Sequence, residues 1–300
     1  MQYKKWTIKF ISMLIISVVL ILTFLYFSKI IMFSYADRIP NIRKINKEYR
    51  LNLIQEYINF KFKKGVEYDI IIGDSQFYGF KQYEEDTFAY LLKKELTEYH
   101  IINLSIVDAT EKDIIQILNI LKEKDIKIKH IIYNFNLSHF STIVQEDKLP
   151  KKKSNILTNL YTLKLQEDYW ISYFKQKKFH KKNSQKYDSR KYNKDRYNII
   201  DKNNINLNQL LSIMKSISKD VLVVFSPHSI DSLKESNYHI DDFIKNIEQY
   251  KSIVRKKDCF LLDLTLAFEK KDFLDILHLS VDGHKKITQK IKNHIDIRNK

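Results

Sequence analysis

The chain is poor in the residues that bend, break or staple a backbone. Its 300 residues hold one cysteine, three prolines and four glycines. With Cys259 alone, an intramolecular disulfide framework and any multi-cysteine zinc site are excluded. So few glycines mean that each is expected where only glycine fits, in a turn or a close backbone approach. Negative charge is also short: 36 Asp+Glu stand against 52 Lys+Arg, leaving +16 at pH 7. That excess asks for an anionic partner, whether nucleic acid, membrane surface or acidic polymer. Hydrophobic residues make up 44%, which excludes wholesale disorder and suits one or two domains with a full core.

Charge is absent altogether from one place. Between Lys9 and Lys29 lie nineteen uncharged residues, FISMLIISVVLILTFLYFS. As a helix they span roughly 28 Å, close to a bilayer's hydrocarbon core. Trp6, Tyr26 and Phe27 stand near the two ends, where interfacial aromatics are found. The run is longer than a signal-peptide core and has no A-x-A-like cleavage site, so it reads as an uncleaved single-pass anchor over residues 1–34. Basic residues flank it on both sides, with Lys4, Lys5 and Lys9 before and Lys29, Arg38, Arg43, Lys44 and Lys47 after. Flanking charge therefore does not favour an outside domain, but long domains translocate largely regardless of it. The expectation is a membrane protein with an extracytoplasmic carboxy-terminal domain, which disfavours nucleic acid as the anionic partner.

Residues 35–66 read as a polar, partly helical connector. From Tyr68 the pattern alternates. Apolar runs at 68–72, 101–105, 130–135, 221–226 and 259–264 read as buried parallel strands. Helical patterns lie at 87–96, 111–124, 206–218, 241–254 and 283–294. This predicts a three-layer α/β/α domain over 67–300 with a five-stranded parallel sheet, its site at the carboxyl ends of the strands. An insertion at 142–200 breaks the alternation. Within it Lys148–Arg196 carries 15 Lys+Arg and four Asp+Glu, a net +11, interleaved with tyrosines. It reads either as a solvated loop or as a surface for anionic lipid headgroups, a polyanionic glycan or a membrane partner. The sequence shows no nucleotide-binding glycine pattern and no metal cluster, so no cofactor or metal is expected.

Two segments carry candidate chemistry. In IIIGDSQFYG (70–79) an apolar strand runs into Gly73-Asp74-Ser75, which places Ser75 at a strand-to-helix junction, either as a nucleophile or as a plain helix cap. In DILHLSVDGH (275–284) Asp275 and His278 are three apart, which on a helical turn puts them on one face, as a triad pair or a surface ion pair. His284 reads as a packing or capping residue.

The order Gly-Asp-Ser after strand one, then Asp-x-x-His and Gly-His near the carboxy terminus, resembles the SGNH (GDSL-type) hydrolase family over residues 68–294, apart from the insertion. The resemblance implies Ser75 as nucleophile, His278 as base and Asp275 as its orienting partner, with an oxyanion hole from Ser75, Asn136 and Asp108. Two blocks depart from the family pattern. Asp108 stands where the family has a glycine, and Asn134-Phe135-Asn136-Leu137 replaces Gly-x-Asn-Asp, so a slipped alignment would make Asn134 the donor. A single anchor with such a domain is similar to proteins that O-acylate envelope polymers and to D-alanyl transfer proteins. This implies acyl transfer to an envelope polysaccharide beside a multi-span membrane acyltransferase, with Lys148–Arg196 facing an anionic polymer or lipid surface. An SGNH esterase or deacetylase, and a non-catalytic assembly partner, remain as alternatives.

Overall fold

The computed structural model describes residues 2–35, 47–80, 82–137, 203–235, 239–275 and 277–298. The insertion at 142–200, with its basic stretch Lys148–Arg196, lies outside the described residues.

Five strands form one parallel sheet: β1 (Glu67–Ile72), β2 (Ile101–Asn103), β3 (Lys127–Phe135), β4 (Asp220–Phe225) and β5 (Phe260–Asp263). Their order across the sheet is β2-β1-β3-β4-β5. In register, Ile71 sits beside Ile132, Ile132 beside Leu222, and Leu222 beside Phe260. The inner strands are near-continuous apolar runs because helices cover both faces. On one face Tyr133, Phe135, Val223 and Phe225 meet α5 (Glu111–Glu123), α6 (Asn203–Ile217), the short α7 (Ile230–Glu235) and α8 (Ile240–Lys256). On the other, Ile71, Ile132, Leu222 and Val224 meet α4 (Phe88–Glu95) and α9 (Val281–Arg298). The expected α/β/α sandwich is therefore the architecture, with the strand order of doubly wound folds whose sites lie at the carboxyl strand ends.

At the amino terminus α1 (Gln2–Tyr35) is one continuous helix. Its segment Trp6–Ile31 is long and apolar enough to cross a membrane. The next helix, α2 (Lys47–Lys61), differs from the expected polar connector: Leu53, Ile54, Tyr57 and Ile58 are buried in the same core as α5. The physical reason is spacing. These four residues recur at i, i+1, i+4 and i+5, a narrow apolar stripe that charged neighbours mask when the segment is averaged. The end of α1 docks on this helix. Phe33 is 2% exposed, its ring 5.6 Å from Tyr57 and 5.8 Å from Phe60, and Lys29 pairs with Glu56 at 2.5 Å.

Candidate active site

Strand β1 delivers the first component. Its last residue, Ile72, is followed by Gly73, whose position against β3 tolerates no side chain: a Cβ there would lie 2.4 Å from that of Asn134. The close approach lets the chain turn at once into α3 (Ser75–Tyr78). Asp74 caps this helix, its Oδ1 accepting the Gln76 N–H at 2.9 Å. Gly79 ends it in the left-handed region, at φ 74°. Ser75 is thus the first helical residue, half-buried, and its own N–H has no acceptor among the described residues. An unpaired N–H at a helix start is a donor waiting for an anion.

The second component comes from the loop before α9. Asp275 and His278 do meet, but not on a helical turn as expected. Phe273 and Leu279 form an antiparallel bridge, and between them the chain closes on itself. The Leu274 N–H donates to the His278 carbonyl at 2.7 Å. Asp275 Oδ1 accepts the N–H groups of Leu277 at 3.0 Å and His278 at 2.8 Å. An aspartate that bonds its own following backbone favours a turn over a helix. Gly283 then lets α9 start against this loop, since a Cβ there would lie 2.2 Å from the Asp272 carbonyl oxygen.

The two components converge. His278 Nε2 lies 3.0 Å from Ser75 Oγ, and His278 Nδ1 lies 2.8 Å from Asp275 Oδ2 and 2.9 Å from Oδ1. A carboxylate only accepts, so Nδ1 carries the proton and Nε2 is the acceptor that faces the serine hydroxyl. Burial alone would push the Asp275 carboxyl up. The hydrogen bond and charge of the His278 ring, with the two backbone N–H groups, outweigh it and hold the carboxyl well below the usual carboxylate range. Asp275 therefore stays ionised wherever the protein works. Phe80 covers the imidazole, ring centroids 5.0 Å apart.

The other sequence-singled residues surround this chain less directly. Asn136, at the end of β3, is buried and donates from Nδ2 to Asp74 Oδ2 at 2.7 Å. Asn134 is buried beneath Gly73, its Nδ2 3.5 Å from Gln76 Oε1. Asp108 lies exposed on the loop after β2 at φ 56°, a conformation that favours glycine. The same loop is stitched to the Gly73–Ser75 turn by the Ile106 N–H, which donates to the Gly73 carbonyl at 3.1 Å. His284 is buried, stacks on Phe88 and accepts the Phe88 N–H at Nδ1, as its packing assignment expected. Among the described residues no cluster of three His, Cys, Asp or Glu could hold a metal ion.

Sequence reasoning missed Gln76 and His228. Gln76 is 1% exposed and bonds two distant backbone carbonyls. His228, after β4, is equally buried and donates from Nδ1 to the Ser226 carbonyl at 2.9 Å. The local pattern around Gln76 says nothing about partners 151 and 201 positions away, and that around His228 says nothing about the Phe243 ring packed against it.

No protein-family model matches the chain. No curated protein sequence matches it. Among solved structures, a member of the lipolytic G-D-S-L family from Veillonella parvula aligns at 12% identity over 76% of this chain and 97% of its own, with a TM-score of 0.48. A catalytic mutant of an acetylxylan esterase from Geobacillus stearothermophilus aligns at 12% identity over 78% and 96%, with a TM-score of 0.45. A structure named TesA aligns at 10% identity over 76% and 97%, with a TM-score of 0.44.

Proposed function

We propose that this chain is an SGNH-type serine acyl-handling enzyme that forms an acyl-Ser75 intermediate and passes the acyl group to a hydroxyl of a cell-envelope polysaccharide or similar acceptor. The observation that carries the catalytic part is the unbroken Ser75–His278–Asp275 hydrogen-bond chain at the carboxyl edge of the sheet. His278 Nε2 takes the Ser75 proton as Oγ attacks an ester carbonyl, and the ionised Asp275 stabilises the imidazolium. The unpaired Ser75 N–H, with Asn136, meets the oxyanion of the tetrahedral intermediate. Collapse expels the donor's alkoxide, which leaves with the proton from His278. An acceptor hydroxyl then enters, gives its proton to the same nitrogen and displaces Ser75, regenerating the free hydroxyl. Water in the acceptor's place makes the same site an esterase.

The transfer reading rests on α1 and on the motif resemblance. With α1 in a membrane, the domain works beside the bilayer, on the extracytoplasmic side. A multi-span membrane acyltransferase would supply the acyl donor, and Lys148–Arg196 would meet an anionic polymer or lipid surface. The test is full-length protein in detergent treated with a fluorophosphonate probe, and with p-nitrophenyl acetate in the presence and absence of polysaccharide hydroxyls. Wild type should label on Ser75, and Ser75→Ala should not. Acyl product on the polysaccharide supports transfer, whereas free acetate alone selects hydrolysis. Equal behaviour of the two chains in every arm refutes catalysis.

A further inference from the structure

Gln76 follows the nucleophile directly, yet its side chain reaches neither solvent nor the triad. Its Nε2 donates to the Pro227 carbonyl at 2.9 Å and to the Leu277 carbonyl at 2.8 Å. A carboxamide nitrogen has two hydrogens, and both are used. The two acceptors lie 151 and 201 positions away in sequence, on the turn after β4 and on the triad loop. Leu277 is the residue before His278, and its own N–H is already held by Asp275 Oδ1 at 3.0 Å.

We propose that Gln76 is a positioning residue that fixes the His278 loop against the nucleophile. The inference rests on Ser75 being the nucleophile. Leu277 is pinned on both sides, its N–H by Asp275 and its carbonyl by Gln76, so the peptide leading into His278 cannot rotate. That rotation is the motion that would carry Nε2 away from Ser75 Oγ. Because Gln76 and Ser75 share the first turn of α3, the clamp refers the base to the nucleophile's own backbone and not to a distant part of the fold. Only a carboxamide offers two donors at this reach. Leucine would leave two carbonyls without their donor, and an ionised glutamate would set a carboxylate against both oxygens.

The experiment uses full-length Gln76→Leu and Gln76→Glu in detergent, with fluorophosphonate labelling, p-nitrophenyl acetate turnover and hydrogen exchange. Gln76→Leu is expected to lower kcat by roughly 10²-fold, the scale of a 1 Å misplacement, with KM changed less than about 3-fold. In a His278→Ala background the same substitution should change residual turnover by less than about 3-fold, because it acts through the base. For Gln76→Glu, a protonated carboxyl donates where a carboxylate cannot, so its activity relative to wild type should rise as pH falls. Without any reference to turnover, Gln76→Leu should speed amide exchange in residues 273–280 and leave α5 unchanged. Equal losses with and without His278, a flat Gln76→Glu ratio across pH, or unchanged exchange at 273–280 would overturn the clamp. The nucleophile assignment fails separately, if Ser75→Ala labels as wild type does.

Discussion

Acid should destabilise this protein through one buried imidazole, and the size of the effect follows from its surroundings. His228 is 1% exposed behind the carboxyl edge of the sheet, its ring 4.9 Å from that of Phe243. Burial pushes its imidazole down from the ordinary 6.5 to about 4, against the Ser226 carbonyl and the charge of Asp74, which both favour protonation. The unfolded chain therefore binds a proton before the folded chain does. Stability from this group is complete above about pH 6.5, is lost as pH falls toward about 4, and stays level below that. The difference is worth about 3 kcal/mol, most of it spent above about pH 4.5. The comparison is His228→Asn, which keeps a donor for the Ser226 carbonyl and cannot titrate. Urea unfolding of both full-length chains, followed by circular dichroism from about pH 7.5 to about pH 4.5, gives their stability gap at each pH. Wild type should lose about 2.5 kcal/mol of its advantage over that range. The depressed carboxyls of Asp263, Asp272 and Asp275 act below about pH 4 and equally in both chains, so they cancel. A gap constant within about 0.5 kcal/mol, or one that widens in acid, would refute the reasoning.

Other expectations concern the site itself. Asp275→Asn should leave the fold intact and lower kcat by roughly 10⁴-fold through the wrong imidazole tautomer, measured by probe labelling and turnover. The pH–rate profile should show no inflection from Asp275, which takes up no proton in the working range. Gly73→Ala should cost about 1–3 kcal/mol from the clash with Asn134 and reduce labelling of Ser75. Gly65→Ala, at φ 84° with nothing within 4 Å of the added Cβ, should cost about 1–2 kcal/mol of strain and leave labelling unchanged. Paired denaturation and labelling curves separate the two glycines.

The strands and the Asp275–His278 pair were legible because each is written in a short stretch of chain. Five apolar runs predicted five strands, and the Asp275 to His278 spacing predicted a pair that meets. The turn that brings this pair together was not legible, since a spacing of three fits a helix and an aspartate-closed loop alike. The role of α2 was hidden by polar residues around a four-residue stripe. Gln76 and His228 were invisible for a different reason: the carbonyls that hold Gln76 and the Phe243 ring that covers His228 come from loops and a helix brought near only once the sheet has formed. Gly73 lies between these cases. Its scarcity in the composition signalled a special position, but the reason, the approach of Asn134, required the β1–β3 register.

The docking of Phe33 and Lys29 on α2 also sets the mechanics of the molecule. A globule on a slack tether sweeps a hemisphere above its anchor, and its mouth can point anywhere. Here the last turns of α1 are packed into the domain, so tilt of one is tilt of the other. With α1 in a bilayer, the domain pivots about the membrane normal but does not wag, and Ser75 rides at a set height. Whatever the domain meets must then come to that height, and encounters are governed by lateral diffusion of the whole protein in two dimensions.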